Sequence, residues 1–237
     1  MGILNVTPDS FSDGGMVASP EAAAERAEQL VAEGADILDL GAESTRPGAE
    51  PVDAATELAR LLPAIAAVRR RLPATPLSID TYKASVAAAC IEAGADVIND
   101  VEGGAHEADR ADSPMARTCA RLGCPLILMH RRKEADYKDF WPEILAETNH
   151  LIQRARSAGL PPEQLWVDPG FGFGKTPAQN LQLVRNLEKF ASLGYPVLLG
   201  TSRKSTLGLV LNEADALARH DATAATCVWG IARGAAM

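Results

Sequence analysis

The chain is built from short apolar runs that each hand over to polar residues, separated by longer stretches whose apolar positions recur at helical spacing. The first run, Ile3, Leu4 and Val6, reads as a strand that empties into a loop of hydroxyls, carboxylates and terminal glycines, with Asn5 at its end. Ser19-Pro20-Glu21 then supplies a helix start, with Ser as N-cap, Pro in the first turn and a carboxylate beside it. That helix runs through Ala22, Ala27, Leu30 and Val31 to Gly34. Residues 35–40 form a buried strand that ends in Gly41-Ala-Glu-Ser-Thr-Arg-Pro-Gly48. A long helix from about Asp53 carries Leu58, Leu61, Leu62, Ile65 and Val68 on one stripe, with Pro63 as an expected kink.

The same alternation continues to the last residues. Leu77-Ser78-Ile79 delivers Asp80, and a helix from about Lys83 closes at Gly94. Residues 95–98 deliver Asn99 and Asp100; Ser113-Pro114 opens a helix closed at Gly123, and residues 125–129 deliver His130. A helix from about Pro142 ends at Gly159, and Leu165-Trp166-Val167 delivers Asp168 with Pro169-Gly-Phe-Gly-Phe-Gly174 behind it. Two short helical pieces lead to Gly194, residues 197–199 deliver Gly200-Thr-Ser-Arg-Lys-Ser205, and a last helix from about Asp221 to Arg233 stops at Gly234. Helix, glycine, apolar strand and polar residue repeat at roughly 20 to 40 residues from strand to strand, the spacing of βα units. Seven strands are visible, and the chain as written ends where an eighth should begin. This predicts an α/β protein of the (β/α)8 TIM-barrel class, short of its eighth strand. An open doubly wound sheet is the competing fold, disfavoured because no G-x-G-x-x-G turn follows the first strand.

Composition narrows the function classes. The 237 residues contain no linker-like or low-complexity tract, so a single domain over residues 1–237 is expected. With 47% hydrophobic but only 5% aromatic residues, the core must be aliphatic. A net charge of −8 leaves no basic stripe for nucleic acid, and Arg131-Arg132-Lys133, followed at once by Glu134, reads as a solvated loop face. No apolar run is long enough to span a bilayer and no signal peptide is visible, so a cytoplasmic protein without membrane partners is expected. Cys90, Cys119, Cys124 and Cys227 lack C-x-x-C spacing and read as small core residues of a reducing compartment. His106, His130, His150 and His220 are too scattered for a zinc site.

In a barrel of this class the working groups stand at the C-terminal strand ends. That face presents Asn5, Glu43, Ser44, Thr45, Arg46, Asp80, Asn99, His130, Asp168 and Lys204. Any one of them could simply cap the following helix. Together they are too many polar groups to leave unpaired at an apolar mouth, and a ligand would satisfy them. Carboxylates that accept, an amide that does both and a lysine that only donates suit a planar heterocycle with an amino group, a ring N–H and a carbonyl oxygen. The Gly-rich stretch before Lys175-Thr176 is not a phosphate loop, because Pro169 stands where the G-x-x-x-x-G-K-[ST] pattern needs glycine. Phe171 and Phe173 could offer a ring face to a flat ligand, or one of them could belong to the core.

Seven motifs together resemble the dihydropteroate synthase family: Asn5-Val-Thr-Pro-Asp-Ser-Phe-Ser-Asp-Gly-Gly15, Gly41-Ala-Glu-Ser-Thr-Arg-Pro-Gly48, Ser78-Ile-Asp-Thr81, Ile98-Asn-Asp100, Leu128-Met-His130, Asp168-Pro-Gly-Phe-Gly-Phe-Gly-Lys175 and Ser202-Arg-Lys-Ser205. The resemblance implies a TIM barrel, usually a homodimer, that joins 6-hydroxymethyl-7,8-dihydropterin diphosphate to 4-aminobenzoate and releases diphosphate, the step of folate biosynthesis that sulfonamides block. It further implies that Asp80, Asn99, Asp168 and Lys204 hold the pterin, with Met129 packing on it and Phe173 beside it. Thr45 would touch the diphosphate and border 4-aminobenzoate, and Asn5 would ligate Mg2+. Phe11, Pro47, Phe173, Lys204 and Ser205 would frame 4-aminobenzoate. Asp13 would join Lys204 in the chemistry by stabilising a pterin-methyl cation formed as the C–O bond breaks.

The family normally carries residues ahead of the first strand and closes on an eighth strand with Arg-x-His that helps bind the diphosphate; neither is seen in the chain as written. The residues after Met129-His130 also depart from its pattern. Two other readings stand beside the synthase: a non-catalytic pterin-binding protein, and a barrel of the methyltetrahydrofolate:corrinoid methyltransferase type, whose members lack the Thr-x-Asp-Ser-Phe-Ser-Asp loop and the Ser-Arg-Lys-Ser motif.

Overall fold

A computed structural model describes residues 1–7, 19–43, 50–103 and 113–237. The chain packs as two compact units, Met1–Asp100 with Gly104–Leu126, and Val101–Gly103 with Ile127–Met237.

In the first unit four parallel strands lie side by side in chain order: β1 (Gly2–Asn5), β2 (Leu38–Gly41), β3 (Leu77–Asp80) and β4 (Val97–Asp100). Parallel neighbours need a crossover, and three of the helices supply one after each of the first three strands: α1 (Pro20–Ala32), α2 (Ala54–Arg71) and α3 (Ala84–Glu92). The fourth, α4 (Pro114–Leu122), follows β4. A doubly wound sheet reverses its strand order at a switch point beside β1, whereas here β1, β2, β3 and β4 pair in chain order, which removes the competing fold.

The helix starts are those the sequence signals. Ser19 Oγ accepts from Ala22 N at 3.1 Å, Asp53 Oδ1 from Thr56 N at 2.7 Å and Ser113 Oγ from Ala116 N at 3.4 Å, each such cap stabilising by roughly 1 kcal/mol. α2 continues through Pro63 to Arg71. The core is aliphatic, with Leu38, Leu40, Leu61, Ile65, Val68, Leu77, Ile79 and Ile98 fully buried.

In the second unit β5 (Leu126–Met129), whose first residue closes the first unit, neighbours β6 (Leu165–Asp168). Val167 bridges in parallel to Val197, and Val197 in turn to Ala235. The expected seventh strand is thus reduced to a bridge at Val197, with Leu198 N donating to Val167 O at 2.9 Å and Leu199 N to Met237 O at 2.9 Å. This agrees with the expectation that the chain as written stops where an eighth strand begins. Its start is in place, because Ala236 N and Met237 N both donate to Val197 O.

The helices of this unit are α5 (Phe140–Ser157), α6 (Pro177–Arg185), α7 (Glu188–Ala191), α8 (Ser205–Leu211) and α9 (His220–Ala232). Thr176 opens α6 through a reciprocal capping box with Gln179. α8, which the pattern does not announce, is only seven residues long.

Candidate functional site

The register of the first unit builds a row of strand-end residues. Asn5 pairs with Gly41, Gly41 with Asp80, and Asp80 with Asn99. Partners in parallel register share a face of the sheet, so Asn5, Asp80 and Asn99 are presented together. Asn5 and Asp80 flank Gly41: a Cβ there would be in ordinary contact with Asp80 Cβ at 3.4 Å, and with Asn5 Oδ1 and Asp80 Oδ2 at 3.5 Å. Asn5 is exposed, Asp80 half-buried and Asn99 buried. None of the three occupies an N-cap; those positions fall to Ser19, Asp53, Lys83 and Ser113.

Two residues earlier on the same face lies a second polar layer that sequence reading passed over. Asp39, 7% exposed, accepts from Ser78 Oγ at 2.6 Å and from Asn99 Nδ2 at 3.1 Å. Burial pushes the Asp39 carboxyl above the usual range, against the pull of those two hydrogen bonds. Asn99 Oδ1 is buried with no hydrogen-bond partner among the described residues. The signal was available in Leu38-Asp39-Leu40, since an acid inside a strand buried on both faces requires a partner.

Glu43, expected at the strand-end face, turns instead toward Lys83 and Tyr82. Lys83 Nζ donates to Glu43 Oε2 and, at 2.7 Å, to Glu57 Oε2, while Tyr82 Oη donates to Glu43 Oε1 at 2.7 Å. Glu57 is 1% exposed. Burial works against the Lys83 ammonium, yet the two carboxylates outweigh it and raise its pKa above the ordinary lysine value. Glu43 is thus tied to Tyr82 and Lys83, and Lys83 in turn to Glu57.

In the second unit the loop after β6 is organised around Asp168 and Lys175. Asp168, 6% exposed, accepts from Gly170 N at 2.7 Å through Oδ1. Its Oδ2 lies 3.7 Å from where a Cβ on Gly200 would stand, at the end of the seventh strand. Gly170 has φ +68°, and a Cβ there would fall 1.9 Å from His130 O, so no other residue fits. Buried Lys175 points its Nζ at Phe173 O (2.9 Å), Gly170 O (3.0 Å), His130 O (3.3 Å) and His130 Nδ1 (3.2 Å). The lysine thus clamps the backbone of its own loop. Burial pulls its ammonium down to about 7, with the Asp168 carboxylate pulling the other way.

The loop settles the two phenylalanines: Phe171 is core at 1% exposure, whereas Phe173 carries Lys204 Nζ 4.0 Å over its ring centroid and the Arg131 guanidinium at 5.5 Å. Ser205 opens α8 and is exposed, while Met129 is buried. Met129, Asp168, Phe173 and Lys204 therefore belong to this unit, as Asn5, Asp80 and Asn99 belong to the first. Phe11, Asp13, Thr45 and Pro47, together with Ser44 and Arg46, lie outside the described residues.

His130 does not serve the strand-end face that its position suggests. Its ring is buried, with Nε2 2.8 Å from Glu147 Oε2 and Nδ1 beside Lys175 Nζ. A carboxylate at one nitrogen and an ammonium at the other assign the proton to Nε2. Burial, then the Lys175 charge, pushes His130 down to about 4. Arg132 likewise departs from the expected solvated face: it pairs with Glu143 at 2.7 Å and with Glu147, and packs 3.9 Å from the Tyr137 ring centroid. Long arginines cover apolar rings while pairing their heads, which charge runs in sequence do not disclose.

A pH dependence follows. The unfolded histidine takes a proton near 6.5 and the folded one only near 4. Stability carried by neutral His130 is complete above 6.5 and is lost as the pH falls toward 4, by roughly 3 kcal/mol. Urea unfolding at pH 7 and pH 4.5 should show that loss, and His130→Gln should remove most of it.

Residues 1–237 match the pterin binding enzyme family. A dihydropteroate synthase of Clostridium beijerinckii is 46% identical over 235 residues, 99% of this chain and 85% of that protein. Among solved structures, the dihydropteroate synthase of Clostridium difficile in the presence of pteroic acid superposes with a TM-score of 0.92 at 43% identity, covering 99% of this chain and 87% of that one. The Xanthomonas albilineans enzyme with 4-aminobenzoic acid gives 0.92 at 41% identity, covering 99% and 84%.

Proposed function

The chain belongs to the pterin-binding enzyme family, with the family's TIM-barrel fold class, and from that premise we infer that it is a transferase making 7,8-dihydropteroate. It condenses 6-hydroxymethyl-7,8-dihydropterin diphosphate with 4-aminobenzoate and releases diphosphate. The observation that carries the reading is the row Asn5, Gly41, Asp80 and Asn99, with a buried amide oxygen of Asn99 left for a ligand donor. Relatives have been solved in the presence of pteroic acid and with 4-aminobenzoic acid, the product skeleton and one of its halves.

In this reading Asp80, Asn99 and Asp168 accept from the amino group and ring N–H groups of the pterin, Lys204 donates to its carbonyl oxygen, and Met129 packs against it. Phe173, with the Lys204 ammonium over its ring, borders both the pterin and 4-aminobenzoate, and Ser205 flanks the latter. Phe11, Thr45 and Pro47 complete the amine side and Asp13 stabilises the developing cation; these four assignments rest on the motif resemblance alone. The bond from the pterin methylene carbon to the diphosphate oxygen breaks, the neutral aromatic amine forms the new C–N bond, and its proton leaves with the products. Since a neutral arylamine is already a nucleophile, orientation and charge stabilisation suffice.

Asn5 suits Mg2+, since its exposed carboxamide offers the hard oxygen that this ion takes beside water and phosphate oxygens. Bound there, the ion would neutralise charge on the leaving diphosphate. A homodimer belongs to the same reading. Leu209, Val210 and Leu211 on α8, and Val228, Trp229 and Ile231 on α9, are exposed apolar side chains of the kind a partner copy covers. No described helix is long and apolar enough to cross a membrane; we place the enzyme in the cytoplasm.

The test is diphosphate release with the dihydropterin diphosphate, with and without 4-aminobenzoate. Release that requires the amine and is competed by a sulfonamide is expected. Pterin binding without amine-dependent release would leave only a binding protein.

A further inference from the structure

Asp39 and Ser78 have no part in the roles assigned above, yet they sit directly beneath Asn99, which has one. Asn99 can present either end of its amide to a ligand, an oxygen that accepts or an NH2 that donates, and a half-turn about its last torsion exchanges the two. Its environment decides between them. Asp39 Oδ2 lies 3.1 Å from Asn99 Nδ2 and can only accept as a carboxylate, which holds the NH2 inward and leaves Oδ1 outward. That outward oxygen is the buried atom with no partner among the described residues.

The orientation survives a proton on Asp39. Ser78 Oγ stands 2.6 Å from Oδ1, so a carboxyl proton is held there, on the oxygen that does not face Asn99. In either state Oδ2 still accepts. The cluster is enclosed on its own strands, since Asp39 pairs in register with Ile3 and Ser78, and Ser78 with Val97.

We propose that Asp39 is a positioning residue for the pterin: by accepting from Asn99 Nδ2 it locks the Asn99 amide with its oxygen toward the ligand, so that the site recognises a ring N–H or amino donor at that position. The proposal rests on the pterin reading given above for Asn99. Its physical content is a discrimination between donor and acceptor edges of the ligand, worth more than the single hydrogen bond because a turned amide would face a donor with a donor.

The test is a double-mutant cycle with one added variant, read by calorimetry with 6-hydroxymethyl-7,8-dihydropterin diphosphate and by steady-state kinetics. Asp39→Leu, similar in size but without an acceptor, should raise Kd and the KM for the pterin about tenfold while leaving the KM for 4-aminobenzoate unchanged. Asp39→Asn, with its oxygen toward Asn99 and its NH2 toward Ser78, should restore affinity to within about threefold of the parent. In an Asn99→Ala background, Asp39→Leu should cost no further affinity, since the residue through which it acts is gone.

Additive losses in the double variant, or equal losses in Asp39→Leu and Asp39→Asn, would overturn the proposal, as would an unaltered Kd in Asp39→Leu. Thermal unfolding of each variant separates these outcomes from a damaged fold. Absence of pterin binding by the unaltered protein would instead sink the functional reading itself. Loss in Asn99→Ala but not in Asp39→Leu would sink only the positioning role.

Discussion

Lys83→Met lowers the free energy of unfolding by about 3–5 kcal/mol, because it removes the one cation between two carboxylates and leaves Glu57, 1% exposed, with a buried charge and no counter-ion. The pair itself adds little over an apolar substitute of the same shape; the cost lies in breaking it. The effect has a pH signature whose sign is fixed. In the parent, burial works against the Glu43 carboxylate, yet Lys83 and Tyr82 outweigh it and hold its pKa below the ordinary value, so Lys83 lends stability that is present at neutral pH and lost as the pH falls. The deficit should therefore be small near pH 4 and grow as the pH rises through the carboxylate range. Denaturant unfolding at pH 4.5 and pH 7.5 measures both numbers, and a deficit independent of pH would show that packing, not charge, dominates. Lys83→Met combined with Glu57→Leu should recover much of the loss.

Asp168→Ala should depress pterin affinity and turnover by about a thousandfold with little change in thermal stability. Its carboxylate is held by Gly170 N at 2.7 Å through Oδ1. In the proposed reading it also accepts from two donors of the pterin, and charge-assisted hydrogen bonds contribute about 1.5–3 kcal/mol each. Two such bonds span the expected factor. Calorimetry with the dihydropterin diphosphate decides; an affinity unchanged within error would remove Asp168 from the site. Asp168→Asn, which keeps the shape but replaces one accepting oxygen with a donor, should lose nearly as much.

How far the sequence carries can be seen at particular residues. The helix starts at Ser19, Asp53 and Ser113 were legible because capping is local, a matter of one side chain and the backbone three residues on. The helix ends at Gly34, Gly94, Gly123, Gly159, Gly194 and Gly234 were legible because each has positive φ, which glycine alone adopts without strain. Asp80, Asn99 and Asp168 were legible as strand-end residues because an apolar run that stops at a polar side chain marks where the sheet ends. α8 was not, since seven residues carry too short a period to stand out.

The roles of His130, Glu43 and Arg132 were misread for a common reason. Each occupies a position from which a side chain could face the site, but which way it turns depends on partners far along the chain: Glu147 for His130 and Arg132, Lys83 for Glu43. Asp39 was hidden in the opposite sense. It looked like part of a buried strand, which it is, and only the register with Ser78 and Asn99 gives it work to do.

By itself, then, the sequence determined the succession of βα units, the aliphatic core, the family motifs and the list of polar residues at the strand ends, all of which depend on local chemistry or on periods of a few residues. Tertiary structure alone decided which of those residues share a row, which turn away into ion pairs, and which buried acid holds the Asn99 amide in one orientation. Those outcomes depend on hydrogen bonds between residues 39 and 60 positions apart, and no local pattern encodes a partner at that distance.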